Sequence, residues 1–311
     1  MRLTRRRGPA DSGPVSRVLE PGELPSVGVI TMARDEGPML RHWVEHYADQ
    51  VGAEHVLVID DNSSDGSTDD LGCPVIRIPQ LRKRGFEPSR MGLLAGISAG
   101  LLEAYDAMLF TDADEFVVAD PARHESLRHF AAARAGREAV GVMGLNLIHD
   151  TSREPALDFD RPLLQQRTLA KFMPLMCKPA LKWVPAAWAH ASHGILCPFE
   201  VDPELFMFHF KFADRGRLEE IAGLRHHVNT TDNRAAGTSW ARPADEMVAL
   251  LDEVAAAIKP GRVEEFDPAK VDLAGIVKKQ GPMWRATGKG QVPGMRSRPV
   301  VSIPARFRGV L

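Results

Sequence analysis

Ala107-Met108-Leu109-Phe110-Thr111-Asp112-Ala113-Asp114-Glu115-Phe116-Val117-Val118 is the stretch on which the reading of this chain turns. The apolar run from Ala107 to Phe110 has the length and composition of a buried strand. Two carboxylates, Asp112 and Asp114, stand at i, i+2 on its C-terminal exit, where burying them unpaired is costly. A divalent cation set between them and a polyphosphate ligand removes that cost. Mg²⁺ and Mn²⁺ are hard ions, commonly held by one or two carboxylates together with substrate phosphates. The stretch therefore implies a metal and nucleotide site at the carboxyl edge of an α/β sheet.

The flanking sequence repeats the pattern. Val27 to Met32 predicts a first buried strand that runs into a polar loop, Ala33-Arg34-Asp35-Glu36-Gly37-Pro38, and Pro38 is placed to open a helix. Leu40, Trp43, Val44 and Tyr47 follow at helical spacing, with Gly52 as a stop. His55 to Ile59 predicts a second strand ending at Asp60-Asp61. The loop from Asn62 to Thr68 is dense in turn and cap residues. Val75 to Ile78 reads as a third strand, Pro88-Ser89 as the start of a second helix, residues 122–135 as a helix and Ala139 to Leu147 as a strand. Strands alternating with helices predict an α/β fold, with a mostly parallel central sheet covered by helices on both faces. Ligands of such sheets bind beyond the carboxyl ends of the strands, and Asp35, Asp60, Asp61, Asp112 and Asp114 all fall there.

After about residue 150 the periodicity weakens and His, Trp, Pro and Lys become frequent. Irregular segments of this kind often build the acceptor side of a site. Asp245 to Ile258 predicts a late amphipathic helix. The organisation expected is a disordered basic tail over 1–24 and one domain over 25–275, whose halves are 25–150 and 151–275. A Pro/Gly/Arg-rich C-terminal tail over 276–311 is expected to lie loosely on the surface.

Bulk composition narrows the function classes. The 311 residues are 44% hydrophobic and 26% charged, as in ordinary globular proteins. A formal net charge of −2 provides no global field that would draw the chain to nucleic acid. Three scattered cysteines form neither a disulfide framework nor a zinc site. No apolar stretch is long enough to span a bilayer. Arg2, Arg5, Arg6 and Arg7 are not followed by an apolar segment, so the N-terminus does not read as a secretory signal. A cytoplasmic location is expected, with at most a weak peripheral contact of the basic tail with anionic lipid at the inner face of the membrane.

Four stretches together resemble a known family. They are Ile30-Thr31-Met32-Ala33-Arg34-Asp35-Glu36, then Trp43-Val44-Glu45-His46-Tyr47, then Val58 to Ser67, then Phe110 to Phe116. In order and spacing the chain resembles the GT-A glycosyltransferases over roughly residues 27–150. It is most similar to the family-2-like bacterial group, which is related to glycosyltransferase family 92. Asp35 departs mildly from the Asn usual in the first loop. The resemblance implies a GT-A (Rossmann-like) fold. It implies metal-dependent transfer of a sugar from a nucleotide-sugar donor, a UDP-sugar, to a hydroxyl of a glycan or lipid-linked acceptor, as in cell-surface polysaccharide synthesis. It also implies that Ala33, Arg34, Asp35 and Glu36 line the nucleoside pocket and that Asp60 and Asp61 contact base and ribose. Asp112 and Asp114 would hold Mn²⁺ or Mg²⁺ against the diphosphate. Arg82, Lys83, Arg84, Arg90 and Lys178 are candidates to offset phosphate charge.

Each assignment has a plainer rival. Asp60 and Asp61 can cap the loop that follows them, and Asp35 and Glu36 can serve as charges at a helix N-terminus. His193 and His209 are candidates for a third metal ligand or an acceptor contact, or are core histidines. His209, between Phe208 and Phe210, alternates as in a strand that would put it and Lys211 on one face. Trp183 and Trp188 suit sugar stacking or the core equally. An inverting reaction needs a general base, and Asp150 ranks first among Asp150, Glu154 and Asp158. A retaining reaction needs none. A nucleotidyltransferase on a similar sheet is the nearest rival enzyme, and a degenerate transferase acting as a binding module is the rival of another class.

Overall fold

The computed structural model describes residues 19–20, 22–81, 85–189, 192–232 and 243–311. Most of the 1–24 tail and the cluster Arg82-Lys83-Arg84 lie outside the described residues. In chain order the strands and α-helices are β1 (Val27–Ala33), α1 (Pro38–Val51), β2 (Val56–Asp60), β3 (Val75–Arg77), α2 (Phe86–Leu101), β4 (Ala107–Phe110), β5 (Glu115–Ala119), α3 (Leu127–Ala133) and β6 (Ala139–Ile148). There follow α4 (Leu163–Gln166), β7 (Leu169–Phe172), β8 (Pro179–Lys182), β9 (Trp188–Ala189), β10 (Gly194–Ile195), β11 (Glu200–His209), α5 (Arg215–Asp232) and α6 (Ala244–Ala256). The chain closes with β12 (Glu264–Glu265), β13 (Val277–Gln280), β14 (Met283–Ala286), α7 (Gln291–Ser297) and β15 (Val301–Ser302).

The fold is α/β. Its first half is the parallel order β4-β1-β2-β3, with Ala33 opposite Asp60 and Asp60 opposite Arg77. This register sets the carboxyl ends of β1 and β2 side by side. Period-two alternation along β1 feeds two apolar layers. Val27, Val29 and Ala33 pack with Leu40, Trp43, Val44 and Tyr47 of α1. Ile30 and Met32 pack with Met91 and Leu94 of α2. The expected arrangement of helices on both faces follows from that split.

Antiparallel strands extend the sheet in the second half. β8 joins β4 to β6, and β6 also pairs with β7. β11 runs parallel to β6 and antiparallel to β5, which sets His209 opposite both Asn146 and Glu115. β11 ends at His209, and Phe210–Phe212 form a 3-10 turn. The strand face expected to carry both His209 and Lys211 is therefore broken, and Lys211 instead reaches Gln291 Oε1 at 3.3 Å. The predicted helix over 122–135 is shortened to α3, which begins where the Ser126 side chain caps the His129 N–H.

The segment 276–311 is not a loose surface tail. β13 and β14 form a four-stranded sheet with β9 and β10, and β15 pairs with β7 of the main sheet. Met295, Ile303 and Phe307 are fully buried. The Phe307 ring lies 4.7 Å from that of Phe206 and 5.2 Å from that of Phe208, centroid to centroid. The Pro, Gly and Arg content concealed apolar residues spaced widely enough to reach the core from short elements. Among the described residues, no helix is long and apolar enough to cross a membrane.

Candidate active site

The acidic stretch forms the turn between β4 and β5. Asp114, Glu115 and His209 each offer one ligand atom, and the three atoms lie within 4.8 Å of one another. His209 Nε2 is 3.5 Å from Asp114 Oδ2. Its Nδ1 lies 2.9 Å from Asn146 Oδ1, an oxygen that can only accept, so Nδ1 donates there and Nε2 is the ring nitrogen that faces the acids. The Phe210 N–H donates to the Asp114 carbonyl at 2.8 Å, tying the turn to the end of β11.

Asp112 faces two cations. Arg90 Nη1 donates to Asp112 Oδ1 at 2.6 Å, and Lys178 Nζ lies 3.4 Å from Asp112 Oδ2 and 2.5 Å from Glu115 Oε1. Burial works against the Asp112 charge, but Arg90 and Lys178 outweigh it and hold the carboxyl well below the usual carboxylate range. Burial likewise opposes the Lys178 charge, and Glu115 and Asp112 more than offset it, so its pKa is raised. At Arg90 burial is overcome by Asp112 and Glu87. Burial pushes the Glu115 carboxyl up despite Lys178 beside it.

These residues fit a divalent cation. Arg90 and Lys178 pair with Asp112 and Glu115, whereas the Asp114 carboxylate faces the His209 imidazole, so the third acid of the turn adds negative charge that a cation would offset. Carboxylate oxygens with one imidazole nitrogen form a donor set that can hold a divalent cation. Of the metal pair expected from sequence, Asp114 lies in the ligand cluster, whereas Asp112 is engaged by Arg90 and Lys178.

The loops after β1 and β2 are tied to each other. Asp35 Oδ1 accepts from the Ser64 N–H at 2.7 Å and the Asp65 N–H at 3.2 Å, and Asp65 Oδ2 accepts from the Gly37 N–H at 3.0 Å. Asp35 and Asn62 adopt φ of 51° and 63°, left-handed values at two adjoining turns. Ala33 accepts through its carbonyl from the Asp61 N–H at 3.0 Å. Arg34 pairs with Asp35 at 3.5 Å, and Glu36 with Arg217 of α5 at 3.0 Å.

Asp60 departs from its expected role. It is fully buried, and both oxygens are engaged: Oδ1 by the Ser63 N–H at 2.7 Å, Oδ2 by the Thr68 hydroxyl at 3.1 Å and Arg77 Nε at 2.6 Å. Burial raises its pKa, but these hydrogen bonds outweigh it and leave the carboxyl low. Asp60 thus closes its own loop rather than reading a base or ribose. Asp61 Oδ1 accepts from the Leu81 N–H at 2.9 Å.

Asp150 is also engaged within its own loop. Its Oδ1 accepts from the Ser152 hydroxyl at 2.6 Å, and Arg153 Nη1 lies 3.1 Å from Oδ2. The arrangement pins a turn and does not present a free base, contrary to the sequence expectation. Trp188 is a core residue: it is buried, its indole N–H donates to the Pro179 carbonyl at 2.6 Å, and Lys182 Nζ lies 3.9 Å from its ring centroid. Trp183 packs, partly buried, against the main core. His193 donates to the Leu175 carbonyl at 2.7 Å, and burial, with Lys178 nearby, lowers its pKa to about 3. It stays neutral and stands outside the ligand cluster.

Glu115 of the cluster and Asn146 behind His209 had little or no part in the sequence reading. Glu115 was legible only as a neighbour of the acid pair. Asn146 is a buried amide inside the apolar run of β6, and a polar side chain in such a strand is a usable signal.

No family model matches the chain, and no curated protein matches it. Among solved structures it is similar to a mannosyltransferase from Pyrobaculum calidifontis in complex with GDP-Man and Mn²⁺. The identity is 18% and the TM-score 0.29, over 43% of this chain and 39% of that one. It is similar to glucosyl-3-phosphoglycerate synthase from Mycobacterium tuberculosis in complex with Mn²⁺, UDP and glucosyl-3-phosphoglycerate. Here the identity is 16% and the TM-score 0.27, over 39% and 44%. A third is a mannose-1-phosphate geranyltransferase from Thermus thermophilus, at 12% identity and a TM-score of 0.28, over 75% and 65%. The chain spans less than half the length of the first two structures. Similarity of this degree assigns neither a fold family nor an activity.

Proposed function

We propose that the chain is a metal-dependent glycosyltransferase of GT-A type, moving a sugar from a nucleotide donor, a UDP-sugar, to a hydroxyl of a glycan or lipid-linked acceptor. The observation that carries this reading is the meeting of Asp114, Glu115 and His209 within 4.8 Å at the exit of β4, beside the cations Arg90 and Lys178. A bound Mn²⁺ or Mg²⁺ would supply charge to offset the diphosphate of the leaving nucleotide. Asp114, Glu115 and His209 would hold it, and Asn146 orients the imidazole. Arg90 and Lys178 stand close enough to the cluster to add positive charge where phosphate charge develops. Ala33, Arg34, Asp35, Glu36 and Asp61, on the neighbouring loops, would border the nucleoside. Asp150 is not offered as a base.

The nucleotidyltransferase reading is weaker for a specific reason. A triphosphate cradle needs free backbone N–H groups in a glycine-rich loop. In the loops after β1 and β2, the N–H groups of Ser64, Asp65 and Gly37 are consumed by Asp35 and Asp65.

The test is a screen of nucleotide sugars against nucleoside triphosphates, with Mn²⁺, Mg²⁺ or excess chelator. Turnover of a nucleotide sugar that requires metal, and its abolition in a folded Asp114→Ala variant, is the expected result. Undiminished turnover in that variant or in chelator removes the metal reading, and turnover of triphosphates alone transfers the assignment to the rival enzyme.

A further inference from the structure

The acid turn is held from beneath by side chains of α1 and β1. The Trp43 indole N–H donates to Thr111 Oγ1 at 2.9 Å. The Tyr47 hydroxyl donates to the Glu115 carbonyl at 3.2 Å, accepts from the Val117 N–H at 2.8 Å, and lies 3.3 Å from Thr111 Oγ1. The Thr31 hydroxyl donates to the Thr111 carbonyl at 2.8 Å. One assignment of protons satisfies every group: Tyr47 accepts from Val117 and Thr111 and donates to Glu115, while Thr111 accepts from Trp43. Thr31, Trp43, Tyr47 and Thr111 are all buried.

This network grips the chain immediately before the turn, at Thr111, and immediately after it, at Glu115 and Val117. A satisfied buried network resists deformation because every lost partner leaves a polar group without water. Loosening it would leave the turn held only by the pairing of β5 with β11 and the Phe210 N–H bond to the Asp114 carbonyl, and so widen the range of the Asp114 and Glu115 side chains about His209, whose ring Asn146 orients. The stretch Trp43-Val44-Glu45-His46-Tyr47 thus acquires a role beyond core packing.

Resting on the metal reading above, we propose that Trp43, Tyr47 and Thr111 are positioning residues: a hydrogen-bonded frame that sets Asp114 and Glu115 against His209 and so sets the site's affinity for a divalent cation. Partners behind metal ligands typically govern metal affinity by about 10–100-fold.

The experiment titrates Mn²⁺ calorimetrically into the full chain and into Tyr47→Phe, Thr111→Val and Phe130→Leu, with Tm measured without metal and amide exchange followed over residues 111–117. Phe130 is a buried core residue of α3 beside His124 and Arg134, and serves as the packing control. Tyr47→Phe and Thr111→Val are expected to weaken Mn²⁺ binding about tenfold and to speed exchange at 111–117. Phe130→Leu is expected to lower Tm and leave both unchanged. Mn²⁺ affinity in Tyr47→Phe equal to that of the natural chain, or an equal loss in Phe130→Leu, overturns the proposal. If the natural chain binds no Mn²⁺, the metal reading fails and the claim on affinity falls with it. Exchange at 111–117 then still decides whether the frame positions the turn: faster exchange in Tyr47→Phe and Thr111→Val but not in Phe130→Leu upholds that, and exchange unchanged in Tyr47→Phe removes it.

Discussion

His46 shows how one buried side chain in α1 couples the fold to pH. Its Nε2–H donates to the Val117 carbonyl at 2.9 Å, on the strand that follows the acid turn. Burial lowers its pKa from 6.5 to about 4, against the raising effect of that hydrogen bond. The unfolded chain therefore binds more protons than the folded one between about pH 4 and 6.5. This contribution is fully present above the unfolded value, declines as pH falls through the window, and levels off below the folded value. At most about 1.4 kcal/mol is lost per pH unit. Urea unfolding of the natural chain should lose roughly 1.5 kcal/mol from this source between pH 6.5 and 5. His46→Gln, whose amide can donate to the same carbonyl without titrating, should show a shallower slope. Equal slopes would show that another group governs acid sensitivity. At this level the sequence displayed the acids but not their partners. Asp60 and Asp114 are both strand-exit carboxylates, and only the positions of Arg77 and His209 separate a loop closure from a candidate ligand.

The two loops that flank the candidate nucleoside edge behave as one element. Asp35, at φ 51°, supplies the acceptor for the Ser64 and Asp65 N–H groups across 29 and 30 residues of sequence. Asn tolerates left-handed backbone and offers the same carbonyl acceptor, whereas Ala does neither. Asp35→Asn should stay within about 0.5 kcal/mol of the natural chain. Asp35→Ala should lose about 1–3 kcal/mol, the range for leaving donors unsatisfied. Urea unfolding checks both, and an unperturbed Asp35→Ala would mean that the loops do not depend on this tether. The abundance of Asn, Ser, Asp and Gly over 62–68 announced a turn. It did not announce that the turn's amides would be spent on the preceding loop, because that pairing arises from the parallel register of β1 with β2.

Across the whole molecule the C-terminal segment completes the core that the first half begins. Phe307 sits between Phe206 and Phe208 of β11, the strand that also ends at His209. Phe307→Ala should cost about 3–5 kcal/mol, as for other buried aromatic truncations, and calorimetric unfolding measures it. A loss below about 1 kcal/mol would restore the picture of a dispensable tail. Local chemistry written in consecutive residues was legible beforehand: the apolar runs, the alternation that splits β1 between two helices, the Pro38 helix start and the carboxylates at strand exits. Such features depend on backbone geometry within a few residues. The union of Asp114 and Glu115 with His209, the withdrawal of Asp60 and Asp150 into their own loops, and the burial of Phe307 were decided by strand register and packing between distant segments. Those contacts depend on which strands become neighbours, and no periodicity within a single segment encodes that choice.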